Sequence, residues 1–227
     1  MWLNAFSSHC LSIFIVVFLG IASSAIFSSE TRAIDGKDKS TESLVFDVDE
    51  LKWINKAETY LNRIKSMQSE FFQTAAGENS ASGVFYLRRP GRLRIEYSPP
   101  SKVLIVGDGL FLHFHDRELG QINDWPIFDT PLGILSSKNF RFNERLIITD
   151  VSRQSGILSI STVKKGDEEL GQLILYFTEA PMELKRWKIV DGEESWITVT
   201  LFNSETNVDL DNKLFVFDDP REQNFKR

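Results

Sequence analysis

The sequence predicts a mainly β protein: an antiparallel sheet of about eleven strands that curls or closes over one amphipathic helix. Two observations carry that expectation. Apolar residues recur with a helical period over 49–67 and then with a period of two for most of the remaining chain. Short turn signals separate the alternating runs, and connections that short join antiparallel neighbours. A sheet this wide with one apolar face does not stay flat, so the helix is expected to plug or cover its concave side.

The first 33 residues read as an export signal. Residues 11–22, LSIFIVVFLGIA, form an apolar run of about a dozen residues, short of the roughly 20 a spanning helix needs. Small residues follow at Ser23 and Ala25 and again at Thr31 and Ala33, and cleavage after Ala33 is expected. The single cysteine, Cys10, precedes the apolar run, whereas an acylated lipoprotein cysteine would follow it. Residues 34–48 mix charge, Ser and Gly without periodicity and read as a flexible acidic lead-in to a domain over 49–227.

In the helical stretch, Leu51, Ile54, Ala57, Leu61 and Ile64 form the apolar stripe, with Asp49 placed to cap it. Strands are expected over 69–74, 83–89, 92–97, 102–106, 110–115 and 118–123, then over 147–153, 156–163, 170–177, 183–190 and 195–202. Turns fall at Pro90-Gly91, Gly107-Asp108-Gly109, Gln154-Ser155-Gly156, Lys165-Gly166-Asp167 and Asp191-Gly192. Between the two sets, 130–135 reads as a short helix with Pro131 in its first turn, and 207–214 as another. Alternation puts Phe85, Leu87 and Arg89 on one face, so an apolar face ends in a charge that must find acceptors or reach water.

Composition excludes several classes. Lys plus Arg number 26 against 32 Asp plus Glu, a net charge of -6, which is no footprint for nucleic acid. One cysteine excludes a disulfide scaffold or a cysteine-rich zinc site. His113 and His115 share one strand face at a spacing a metal could bridge, but no third ligand accompanies them, and neither metal nor cofactor is expected. No nucleophile elbow, phosphate loop or dinucleotide glycine pattern occurs, so no catalytic residue is assigned. Trp53, Trp125, Trp187 and Trp196 are open to two uses, core packing or lining a ligand cavity.

The run GVFYLRRPGRLRIEY over 83–97, followed by Pro99-Pro100 and LIVGDG over 104–109, resembles the LolA family of periplasmic lipoprotein carriers. So do Asp116 with Leu119 and Gln121, Asp129-Thr130-Pro131-Leu132, Trp187 with Asp191, and Leu214-Phe215 with Phe217, in the family's order. The resemblance implies a half-open antiparallel β-barrel with a helical lid over a hydrophobic cavity. It implies a periplasmic, monomeric carrier of acylated lipoproteins that receives them from an inner-membrane lipoprotein-releasing ABC transporter, and it leaves open a dedicated outer-membrane acceptor. The family's lid-closing arginine falls on Arg89, whose role there is to bond lid-helix carbonyls, and the lid helix on Thr130, Pro131, Leu132, Ile134 and Leu135. The acyl-chain cavity is then expected from Leu51, Phe72, Phe85, Leu87, Leu93, Ile95, Trp187, Ile189, Ile197 and Val199. The alternative is an envelope regulator of the same half-barrel fold that senses lipids or lipoproteins, for which a second domain is expected.

Overall fold

The computed structural model describes residues 46–77, 80–166, 168, 171–191 and 195–223. The expected leader over 1–33, Cys10 and all but the end of the expected lead-in lie outside the described residues. Helix α1 spans Val48–Arg63, one residue earlier than expected at its start and four at its end. Asp47, not Asp49, caps it: the Asp47 carboxylate accepts from the Glu50 amide and the Glu50 carboxylate from the Asp47 amide, both at 2.8 Å. That reciprocal pair needs an acid three residues after the cap, which Asp47 has and Asp49, followed by Lys52, lacks. At Ile64 the backbone turns extended, because the following ten residues gain a ladder on both sides.

Eleven strands follow: β1 (Ser66–Ala75), β2 (Ser80–Arg88), β3 (Arg92–Tyr97), β4 (Val103–Asp108), β5 (Phe111–Asp116) and β6 (Gln121–Pro126), then β7 (Leu146–Gln154), β8 (Ile157–Lys164), β9 (Gln172–Glu179), β10 (Met182–Asp191) and β11 (Ser195–Thr206). β6 begins three residues later than the sequence predicts. The Asp116 carboxylate accepts from the amides of Glu118 and Leu119 and turns the chain there, with Gly120 at φ +65° completing the turn.

All eleven strands form one open antiparallel sheet, in the order β6-β5-β4-β3-β2-β1-β11-β10-β9-β8-β7. The first strand pairs with the last, with Phe72 opposite Thr200, so two meanders are sewn together at β1 and β11. β6 and β7 are therefore the two free edges, although they are consecutive in the chain. Residues 127–145 must cross from one edge to the other, and this crossing carries α2 (Pro131–Leu135). Bulges in β7, β10 and β11 add local bend.

Burial alternates along most strands, as expected for a sheet with one face on a core. α1 lies on the inner face and buries Trp53, Ile54, Ala57 and Leu61 there. On the outer face, the chain after β11 runs back over β1 to β6. Ser66 donates to the Val208 carbonyl at 2.5 Å, Arg88 to Leu210 and Asn212, and Arg94 to the Leu214 carbonyl at 3.3 Å. Farther along, Phe217 stacks on His113 with ring centroids 4.5 Å apart, and Arg221 reaches Asp124 at 2.7 Å. The helical part of this segment is a 3-10 turn, Asn212–Phe215, followed by α3 (Pro220–Gln223). Among the described residues no helix is long and apolar enough to cross a membrane.

Candidate functional site

The inner face encloses a cavity of about 40 Å³. Its wall comes from Phe71 and Gln73 on β1, Phe85 on β2, Ile95 and Tyr97 on β3, Ile105 on β4, Trp187 and Ile189 on β10, and Ile197 and Val199 on β11, with Leu132 of α2 on the lid side. Phe85 meets Trp187 edge to face at 5.6 Å, and Phe71 meets Tyr97 likewise at 5.2 Å. Gly83 makes the second contact possible, since a Cβ there would lie 2.8 Å from the Phe71 ring and 2.1 Å from the Glu96 carbonyl.

Six residues expected at the cavity stand around it: Phe85, Ile95, Trp187, Ile189, Ile197 and Val199. Leu87 and Leu93 are buried in the surrounding core. Two expectations are corrected. Leu51 is 46% exposed, at one edge of the helix stripe on the first turn. Phe72 is 44% exposed, because Phe71 and not Phe72 takes the inward phase of β1. Two adjacent phenylalanines leave that phase open in the sequence. Of Trp53, Trp125, Trp187 and Trp196, only Trp187 lines the cavity; Trp53 packs with Lys56 and Arg153, whose cationic groups are 3.9 and 4.0 Å from the ring centroid.

The crossing segment covers this face. Ile127 is wholly buried against Gly107, where a Cβ would come within 2.6 Å of its Cδ1. Thr130 caps α2: its Oγ1 accepts from the Gly133 amide at 3.1 Å and donates to the Ile127 carbonyl at 2.7 Å. Leu132, Ile134 and Leu135 point into the core, and Pro131 opens the helix half-buried.

Arg89, one residue beyond β2, donates through Nη1 to the Ser137 carbonyl just past the end of α2. Burial lowers its guanidinium pKa to about 10, and its Nε is buried without a partner among the described residues. The neighbouring backbone adds a bond from the Gly91 amide to the Ser136 carbonyl at 3.0 Å.

Two further ties come from α1. Asn62 bonds both the amide and the carbonyl of Phe140, and Glu58 accepts from the Phe142 amide at 2.7 Å. Neither residue carries a sequence signal, since polar residues at this spacing on a helix ordinarily face solvent. His113 and His115 lie far from this machinery, packed against Phe217 on the outer face. His113 also meets Asp124 at 2.7 Å and Asp108 at 3.4 Å. Among the described residues no group of three or more His, Cys, Asp or Glu side chains could hold a metal ion.

The family model described as outer membrane lipoprotein carrier protein LolA matches residues 62–218. An outer-membrane lipoprotein carrier protein of Methylococcus capsulatus is 26% identical over 175 residues, covering 73% of this chain and 83% of the relative. One from Nitrosomonas europaea is 27% identical over 177 residues, covering 74% and 85%. A crystal structure of a LolA superfamily protein from Nitrosomonas europaea covers 73% of this chain and 98% of its own, at 9% identity and a TM-score of 0.43.

Proposed function

The chain belongs to the LolA family of outer membrane lipoprotein carrier proteins, and from that premise we propose that it takes outer-membrane-directed lipoproteins from the inner-membrane release machinery, shields their acyl chains on the inner face of the sheet and delivers them to the outer membrane. It works in the periplasm, as a monomer, after loss of residues 1–33. Acylated lipoproteins and an inner-membrane lipoprotein-releasing ABC transporter are its partners, and the task requires no bond to be made or broken in the cargo.

The observation that carries this reading is an apolar cavity nearly filled by its own walls and covered by a segment tied down at Ser137, Phe140 and Phe142. A ligand pocket ordinarily holds about 300–1,000 Å³, so a cavity of about 40 Å³ must widen to take acyl chains. Acyl chains enter when the crossing segment lifts. The energetics favour such a device: three chains of roughly 45 methylenes at about 0.8 kcal/mol each give on the order of 35 kcal/mol of gross burial, beyond the roughly 20 kcal/mol at which non-covalent binding saturates. A carrier must also release. Closing the lid over the empty cavity offsets part of the gain, and Arg89 supplies some of that closure.

The test is native mass spectrometry with lipid extraction of protein purified from an envelope fraction, beside Arg89→Leu. The reading predicts acylated lipoprotein on both, with higher occupancy on the variant. Protein empty of acyl cargo in both preparations would overturn it.

A further inference from the structure

The cavity wall is aliphatic and aromatic except at one place, where Gln73 and the Tyr97 hydroxyl meet. Gln73 sits in the middle of β1, its backbone laddered to Val199 on one side and Ala81 on the other, and it is only 5% exposed. The Tyr97 hydroxyl donates to its Oε1 at 2.8 Å, which fixes the plane of the amide and leaves the NH2 end as the free one. No hydrogen bond from that nitrogen occurs among the described residues. That nitrogen keeps a little accessible surface, unlike the fully buried unpartnered Nε of Arg89, yet an unspent donor in an apolar wall is costly, and a leucine of similar volume would fill the same wall without that cost.

From this arrangement we infer that Gln73 is a recognition residue: its amide N–H donates to an acyl carbonyl, ester or amide, when chains occupy the cavity, with Tyr97 as the residue that positions it. The inference rests on the carrier reading and adds a chemical preference to it. Hydrocarbon burial alone cannot distinguish acyl chains from alkyl chains of equal length, because both bury the same methylenes. A single pre-oriented donor can, because an ether linkage offers no carbonyl to accept. Both ester- and amide-linked chains present the required oxygen, so the shared group is the acyl carbonyl.

The experiment compares three myristoyl-length probes on one polar head: a di-ester, the matching di-ether and an N-acyl amide. Binding of each to the purified protein is measured by titration calorimetry for wild type, Gln73→Leu and Tyr97→Phe. Wild type is expected to bind the carbonyl-bearing probes about three- to tenfold more tightly than the di-ether, the range one net hydrogen bond supplies. Gln73→Leu should abolish that ratio while still binding all three, and Tyr97→Phe should reduce it by freeing the amide. Whichever of ester or amide loses more in Gln73→Leu is the linkage that Gln73 meets. Equal binding of di-ester and di-ether by wild type would overturn the inference and leave the carrier reading standing, as would a preference that survives in Gln73→Leu. Should that variant not fold, an unchanged ratio in Tyr97→Phe overturns the positioning. No binding of any probe by wild type would overturn both readings together.

Discussion

Asn62 grips Phe140 with both ends of its amide: Nδ2 donates to the Phe140 carbonyl at 2.8 Å and Oδ1 accepts from the Phe140 amide at 2.7 Å. The two residues are 78 apart in sequence, one on α1 and the other on the crossing segment. Glu58, one helical turn earlier, repeats the grip on the Phe142 amide. Arg89 holds the same segment at Ser137 from the sheet side. The helix and the crossing segment are thus fastened to each other as well as to the sheet.

Replacing Asn62 with leucine removes both bonds to Phe140 while keeping side-chain volume. We expect a loss of about 1–2 kcal/mol in urea unfolding, and faster amide exchange at Phe140 and Phe142 than elsewhere. Exchange that accelerates uniformly over the sheet would place Asn62 in global stability instead of the cover.

Arg89→Leu leaves the Ser137 carbonyl without its guanidinium donor and takes a buried charge with an unpartnered Nε out of the core. Those effects oppose each other, so unfolding free energy should change by less than about 1.5 kcal/mol. Affinity for an acylated lipopeptide should rise several-fold, because the closed empty state loses a tie that the open state lacks. Unchanged or weaker affinity in a folded variant counts against the lid role.

Gly133 is required by crowding, not by an unusual backbone angle. A Cβ there would lie 1.7 Å from the Ile127 carbonyl oxygen. Gly133→Ala should cost about 2–3 kcal/mol and leak cargo, since α2 cannot then seat against the turn before it. Native-like stability for this variant, read from a denaturant midpoint, would show that the turn yields.

The outer-face segment should loosen in acid. The Arg221 guanidinium holds the Asp219 carboxyl below its ordinary pKa. For Asp124, partial burial pushes the pKa up, but hydrogen bonds from Arg221 and His113 more than offset it and leave it lowered. A carboxylate with a depressed folded-state pKa contributes stability that is complete above its unfolded value, near about 4, and is lost as pH falls through the folded value. The Tm gap between wild type and Arg221→Leu should therefore be largest near neutrality and shrink below about pH 4. A gap that widens in acid contradicts the assignment.

Much of this architecture is legible in the chain. The change of period at the end of α1, the Pro131 helix and the eleven strands follow from patterns within single segments, as does the inward row Leu93, Ile95, Tyr97 on β3. What escapes is non-local. Nothing in 66–75 and 195–206 announces that the first and last strands pair, and that pairing turns 127–145 into a cover by making β6 and β7 opposite edges. Adjacent apolar residues hide strand phase, which is why Phe72 reads as cavity-facing and lies outside. Asn62, Glu58 and Gln73 look like ordinary surface polar residues until the fold brings Phe140, Phe142 and Tyr97 to them.

In the carrier reading the cover lifts to admit acyl chains. Residues 34–227 contain no cysteine, so spin labels at Lys138→Cys on the crossing segment and Lys102→Cys ahead of β4 report only on their separation, by pulsed electron paramagnetic resonance. We expect one short distance in the ligand-free protein, a shift to longer distances with a stoichiometric acylated lipopeptide, and a partial shift without ligand in Arg89→Leu. A distribution unchanged by bound lipopeptide would contradict it.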